Sequence, residues 1–248
     1  MSTSIQKIEK EFNRIKGLGF IKSNRVHNTG IGKTFEDYLG VKENNIKDAD
    51  FDGFEVKSQR ELSASYITLF TKSPSSPTGA NAYLKDAFGR GDAKFPHLKA
   101  LHTSSFGDSW NTVHETYDMK LSVNRDCKNI SLIIKEFSSE LVLSDNIHWS
   151  FDDLRTGLNK MKSLFVVTAE TEKRKDGEYF HYTKAKVYHN VLFDKFLELL
   201  EEGFIQFDIR IGVYKTGKAI GKPHDHGSAF RIKKENIHQI YEEVIEIN

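Results

Sequence analysis

The residues best suited to chemistry lie in one short stretch, Asp50-Phe51-Asp52-Gly53-Phe54-Glu55-Val56-Lys57. Asp52-Gly53 is a dipeptide suited to a two-residue hairpin turn. With those residues at the tip, Phe51 opposes Phe54 and Asp50 opposes Glu55, and directly opposed residues project to the same face. Lys57, two residues beyond Glu55, shares that face. The stretch therefore predicts a patch of two carboxylates and one ammonium, with Asp52 in the turn and less well placed. Two carboxylates at short range repel unless a cation sits between them, and oxygen ligands with open water positions suit Mg²⁺. Asp50 and Glu55 as metal ligands, with Lys57 orienting a water or stabilising developing charge, amount to in-line phosphodiester hydrolysis. The bare spacing also arises by chance, and the competing reading is a solvated hairpin bearing surface ion pairs.

Glu36, within Thr34-Phe35-Glu36-Asp37 just upstream, can add a carboxylate to that shell or stand as an exposed helical glutamate. A second group lies near the end of the chain. Residues 205–214 alternate strictly, with Asp208 and Arg210 on the polar side, and Lys215, Lys218, Lys222, His224, Asp225, His226 and Arg231 follow. Arginine matches the O6/N7 edge of guanine bidentately, acidic groups accept from cytosine N4, and lysines suit phosphates. A basic surface loop for some other anion is the alternative. His224 and His226 invite zinc, but no cysteine or further histidine close in sequence completes a ligand set. The run Gly30-Ile31-Gly32-Lys33-Thr34 resembles the end of a phosphate-binding loop, yet His27 occupies the required earlier glycine position, which excludes an ATPase of that type. No serine–histidine–aspartate elbow is present.

These residues need elements to hold them. Ile5, Ile8, Phe12 and Ile15 recur at helical spacing, ended by Gly17 and Gly19. Thr34 with Asp37 reads as a capping box for a short helix carrying Phe35, Tyr38 and Leu39. Residues 66–71 read as a strand, followed by a loop with Pro74, Pro77 and Gly79. Residues 89–111 are polar and weakly patterned and are expected to form a long loop. Strands are expected at 117–123, 130–137 and 140–143, and Ser150 with Asp153 caps a helix through Leu154, Leu158 and Met161. The apolar run 164–169 predicts a buried central strand. Asp176-Gly177 marks a turn and 191–200 a further helix. Strands mixed with helices give an α/β or α+β protein, and the absence of a linker predicts two lobes packed together.

With 248 residues the chain can bury a sizeable core, and 38% hydrophobic with 29% charged residues fits a soluble globular protein. A net charge of +1 argues against a non-specific nucleic-acid coat, while a sequence-reading enzyme can still gather its cations in one place. No apolar run reaches bilayer length, and the first nine residues lack a signal-peptide pattern, so no membrane association is expected. The single cysteine, Cys127, cannot form an internal disulfide, which fits a reducing cytoplasm.

Several separate segments resemble one family. They are Thr29 through Asp37, Asp50 through Lys57, Leu69 through Pro74 with Gly79-Ala80-Asn81, and Trp149-Ser150-Phe151-Asp152. Asp208-Ile209-Arg210-Ile211-Gly212, His224-Asp225-His226-Gly227 and Ala229-Phe230-Arg231-Ile232 complete the set. Together they are similar to the MvaI/BcnI group of type II restriction endonucleases over nearly the whole chain, with 89–129 matching least. The resemblance implies a PD-(D/E)xK nuclease core, related to the MutH repair nickase, in two lobes around a DNA-binding cleft. Residues 1–145 would be the catalytic lobe and 146–248 the sequence-recognition lobe. It implies a monomer that cuts double-stranded DNA at an interrupted CC/GG pentanucleotide, CCWGG, leaving 5′-phosphates and a one-nucleotide overhang. A DNA methyltransferase would be its genetic partner. Asp50 and Glu55 would hold Mg²⁺ (or Mn²⁺, or Ca²⁺ without cleavage), Lys57 would assist the water, and Glu36 would support the metal. Asp208, Arg210, His224, His226 and Arg231 fall where the family places base-reading groups, and Lys72, Asn81, Lys215, Lys218 and Asp225 join the expected DNA contacts. Ala49 replaces the motif's usual proline, which takes no part in the chemistry. A MutH-like strand-nicking repair endonuclease is the alternative. A DNA-binding module with a decayed site is a second, opposed by the intact Asp50, Glu55 and Lys57.

Overall fold

Four apolar residues spaced for one helical face do bury together. The computed structural model describes residues 3–41, 50–61, 66–93 and 95–247, and its first helix, Thr3–Lys16, buries Ile5, Ile8, Phe12 and Ile15. Arg14 and Lys16 stand in its last turn, where cations complement the helix dipole. This helix and a second, Gly30–Leu39, contribute Ile31, Phe35 and Leu39 to one core with Val56, Phe165, Val167, Phe180 and Tyr182. The sheet beneath runs in the order Ile21–Lys22, Gly177–Val191, Ser163–Arg174, Glu55–Arg60, with Tyr241–Ile247 also paired to Gly177–Val191. Ser163–Arg174 lies parallel to Glu55–Arg60 and antiparallel to Gly177–Val191 across the Asp176-Gly177 turn. The run 164–169 is thus the central strand that its apolar character required, flanked on both sides.

The second set of elements contains a six-stranded sheet in the order Tyr66–Thr71, Ala229–Lys233, Ile205–Val213, Lys99–Ser105, Arg90–Gly91, with Pro223–Asp225 also paired to Ile205–Val213. Beside it is a meander of Asn111–Val113, Tyr117–Asn124, Asn129–Glu136 and Val142–Ser150. Trp149, Phe207 and Phe230 meet in its core at ring-centroid distances of 4.5 to 5.5 Å, and the Trp149 indole N–H donates to the Lys72 carbonyl at 3.0 Å. Helices Ala80–Phe88, Phe151–Leu158 and Phe193–Glu201 complete this part.

The chain divides into two compact units, and each is discontinuous. One comprises residues 1–65, 159–192 and 241–248, the other 66–158 and 193–240. A contiguous division at 145/146 therefore differs from the packing: the strand Ser163–Arg174 must cross back to pair with Glu55–Arg60, and a split by sequence position cannot express that. Other expectations are corrected. Residues 89–111 are no long loop, since Arg90–Gly91 and Lys99–Ser105 are paired strands. The strand foreseen at 140–143 is the start of the longer Val142–Ser150. Thr34 does not cap a helix; it lies buried within Gly30–Leu39, where its Oγ1 accepts the Asn24 backbone N–H at 2.9 Å. Ala49 lies outside the described residues. Among the described residues no helix is long and apolar enough to cross a membrane.

The Ser150 cap is present. Ser150 Oγ accepts the Asp153 N–H at 3.2 Å and donates to Asp153 Oδ2 at 3.0 Å. Lys72 Nζ donates to Asp153 Oδ1 at 2.6 Å, and Ser75 Oγ to Oδ2 at 2.5 Å. Led by the Lys72 bond, these contacts hold the Asp153 carboxyl down at about 2. Ser150→Ala should cost about 1 kcal/mol in urea denaturation. Because the folded-state pKa is depressed, Asp153's contribution is fully present above its ordinary value of 3.8 and is lost as pH falls through about 2. Asp153→Asn should flatten the stability profile across that acid window, measured by melting at fixed ionic strength.

Candidate functional site

In the first unit, Asp52 and Gly53 form the tip of a turn, at φ of 49° and 87°. A type I′ turn requires positive φ at both positions, which glycine supplies without cost and aspartate tolerates. Phe51 and Phe54 pair across it through reciprocal backbone hydrogen bonds of 3.0 and 2.9 Å. The ladder does not extend to Asp50 and Glu55. Instead Asp50, exposed, turns one carboxylate oxygen back to accept the Val56 N–H at 3.0 Å, which fixes it beside the start of the strand. Asp52 pairs with Lys7 at 2.9 Å and belongs to the turn.

Register decides the rest. Phe165 pairs with Val56 in the helix-packed core, so Leu164 and Val166, the partners of Glu55 and Lys57, share the opposite face with them. Glu55 is only 8% exposed. Lys57 Nζ donates to Glu55 Oε1 at 2.5 Å, while Glu55 Oε2 is buried without a hydrogen-bond partner. A buried carboxylate oxygen left unsatisfied is costly, and a hard divalent cation is a partner that compensates it. Among the described residues no three His, Cys, Asp or Glu side chains gather as a closed metal cage. Mg²⁺ is commonly held by one or two carboxylates with water and phosphate filling the remaining positions, so the residues present fit such an ion. Glu36 lies on Gly30–Leu39 near Tyr182, whose phenol is pushed up by burial first and by the Glu36 charge second.

In the second unit the polar side of Ile205–Val213 is not an open surface. Gln206 and Asp208 are each 6% exposed, and only Arg210 of the three protrudes. Asp208 is the hub. Its Oδ1 accepts from Ser104 Oγ at 2.7 Å and Gln206 Nε2 at 2.5 Å. Its Oδ2 accepts from Arg210 Nη2 at 3.0 Å and lies 2.8 Å from Arg231 Nε, an ion pair whose N–H is not directed at the oxygen. Burial and the neighbouring Arg210 charge lower the Arg231 pKa, against the pull of Asp208. One carboxylate therefore holds two guanidiniums together, and both of its oxygens are already engaged.

His224 and His226 follow on the short strand Pro223–Asp225 and the turn after it. Their rings are 4.3 Å apart at 85°, and Tyr214 packs on His224 at 4.5 Å. Gly212, the partner of His224, makes room: a Cβ there would stand 2.9 Å from His226 Nε2. Asp225 serves the loop, accepting the Gly227 and Ser228 N–H groups on Oδ1 at 2.9 and 2.6 Å and Asn81 Nδ2 on Oδ2 at 2.9 Å. Lys72 is committed to Asp153 and Lys215 to Asp92, while Lys218 lies exposed on the turn Gly217–Ala219. The structure adds three residues that sequence spacing did not single out: Ser104 and Gln206, which complete the Asp208 shell, and His102, paired with Arg210. Alternation along Lys99–Ser105 was the signal that could have found His102 and Ser104.

The family model described as the MvaI/BcnI restriction endonuclease family matches residues 9–241. No curated protein matches the chain by sequence. Among solved structures, the chain is similar to restriction endonuclease MvaI in complex with its cognate DNA substrate, at 33% identity over 100% of both chains with a TM-score of 0.88. It is also similar to MvaI in the absence of DNA, at 33% identity over 100% of this chain and 99% of that one, with a TM-score of 0.68.

Removing the hub should be expensive. Asp208→Ala leaves the largely buried Arg231 without its counter-charge and is expected to cost about 3 kcal/mol in chemical denaturation. Arg210→Ala, whose side chain is 47% exposed, should cost less than about 1 kcal/mol.

Proposed function

The chain belongs to the MvaI/BcnI restriction endonuclease family, and on that premise we propose that it cuts double-stranded DNA at CCWGG in a Mg²⁺-dependent reaction, leaving 5′-phosphates and a one-nucleotide overhang. It is a type II site-specific nuclease. The observation that carries the reading is Glu55: buried, bonded to Lys57 through one oxygen and unpartnered at the other. That oxygen and the Asp50 carboxylate would hold the ion, with Glu36 in support. Mg²⁺, when bound, neutralises charge on the phosphate being cut and acidifies water. Lys57, whose Nζ donates to Glu55, would orient the attacking water and offset charge developing on the phosphate. Asp50, tied to the Val56 N–H, is held at the same end of the strand.

Recognition falls to the second unit. Arg210 and Arg231 present guanidiniums suited to the O6/N7 edge of guanine. Asp208 fixes their spacing in advance, with both its oxygens used inside the protein. His224 and His226 add imidazole rings beside them. Asp225, Asn81 and Lys72 hold the loops, and Lys215 and Lys218 offer charge to phosphates. The protein acts as a monomer in a bacterial cytoplasm, one active site serving each strand in turn, with a methyltransferase of matching specificity protecting the host DNA.

The direct test is digestion of a plasmid of known sequence by the purified protein with Mg²⁺ alone, followed by sequencing of the ends. Double-strand cuts at CCWGG with 5′-phosphates are expected. Single-strand nicks that need added proteins would instead support a repair nickase. Glu55→Gln and Asp50→Ala should each slow cleavage on the order of 10²–10³-fold while still binding the site in Ca²⁺; cutting at near wild-type rate by either variant refutes its assignment. Arg210→Ala and Arg231→Ala should each weaken discrimination at one base pair by about 1–3 kcal/mol. Uniform weakening on all sequences would make them phosphate contacts.

A further inference from the structure

Across an antiparallel pair, residues directly opposed share a face. On the sheet of the second unit, Asp208 is opposed by Ser104, Arg210 by His102, and Gly212 by His224. His102 therefore lies on the same side as the arginine pair and the histidine loop, although it is more than a hundred residues away in sequence from either. Its ring meets His226 edge to face, with centroids 6.0 Å apart at 86°. The side chains His102, His226, His224 and Tyr214 thus form a continuous row of rings alongside Arg210.

Two features set His102 apart from an ordinary packed histidine. It is exposed, and among the described residues no hydrogen bond engages either of its ring nitrogens. Ser104, one pleat along, is in contrast fully committed to the Asp208 shell. The pKa of His102 lies below the ordinary histidine value, through desolvation of the inner part of the ring first and then the proximity of His226 and Arg210, all of which disfavour the imidazolium. A neutral imidazole offers one donor and one acceptor, which matches the edge of a base better than a phosphate, where lysine and arginine charge is what counts.

We propose that His102 is a further base-contacting residue of this face, reading one base pair of the DNA target through a ring nitrogen beside Arg210. The inference rests on the DNA-recognition reading of the Asp208–Arg210–Arg231 group. Its footprint on the target should be one base pair, because a single imidazole reaches one base edge at a time.

The test uses the whole enzyme and a panel of oligonucleotide duplexes: the cut site found by end-sequencing, and every single-base-pair variant of it. The ratio of kcat/KM on each variant to that on the parent is measured for wild type, His102→Ala, His102→Phe and Arg210→Ala, with melting temperatures as a folding control. Loss of one base contact should lower kcat/KM on the parent site by about tenfold in His102→Ala. It should compress discrimination at one base pair, leave the others unchanged, and leave the melting temperature near wild type. His102→Phe keeps ring packing against His226 but carries no nitrogen, so it should behave like His102→Ala. If His102→Phe restores wild-type discrimination, the ring only packs and the proposal is overturned. If both His102 variants lose rate equally on every duplex, or lose none, while Arg210→Ala still compresses one position, the proposal fails and the recognition reading stands. If Arg210→Ala and the His102 variants all leave discrimination untouched, the recognition reading fails with it.

Discussion

The parallel pairing of Glu55–Arg60 with Ser163–Arg174 is the constraint on which the candidate active site depends. Side chains alternate along a strand, so a slip of one residue would exchange its two faces. The observed register sends Val56 into the core with Phe165 and Val167, and leaves Glu55 and Lys57 together on the other side. The hydrophobic cost of exposing Val56 and burying Lys57 in its place guards that register. The turn at Asp52-Gly53 then delivers the chain to the strand at the right residue, and Asp50 is tied back to Val56. A carboxylate and an ammonium side by side, with one carboxylate oxygen buried and unengaged, follow from packing that has nothing to do with chemistry.

The second unit solves a related problem by opposite means. Its central strand carries polar groups on one face, and that face is largely covered. Buried polar atoms must be satisfied, and here the satisfaction is mutual: Asp208 takes Ser104, Gln206, Arg210 and Arg231, and the two guanidiniums are held against their own repulsion. The consequence is preorganisation. Side chains whose rotamers are locked by a buried network bring a set spacing to a ligand and lose less entropy on binding than free surface arginines would. The loops around it are fastened in the same manner, Asp225 gathering Gly227, Ser228 and Asn81, and Asp153 gathering Lys72, Ser75 and Ser150.

Each unit is assembled from segments distant in sequence, so the two chemistries are interleaved along the chain. The strand Ser163–Arg174, which supports the carboxylate pair, lies between segments of the other unit, and Tyr241–Ile247 returns to the first sheet after the histidine loop. A restriction endonuclease built this way cannot be cut at one point into a nuclease part and a recognition part.

Local patterns determined a good deal by themselves. The helical spacing of Ile5, Ile8, Phe12 and Ile15, the apolar run 164–169, the alternation of 205–213, the turn at Asp52-Gly53 and the Ser150 cap all took the form their residues require, because each is decided by neighbours within a few positions. Glu55 and Lys57 share a face for the same reason, and the family is recognisable from segments that keep their spacing. What local pattern could not supply were relations between distant residues. Thr34 has the composition of a cap but is buried inside a helix that begins earlier, at Gly30. Residues 89–111 look like loop, yet Lys99–Ser105 pairs with Ile205–Val213 and Arg90–Gly91 pairs with Lys99–Ser105 in turn. Asp208, on the polar side of an alternating strand, is a buried counter-ion, and His102 lies opposite Arg210 across the sheet. Burial and strand pairing are sums over contacts made only when the chain closes on itself, and no window of sequence contains them.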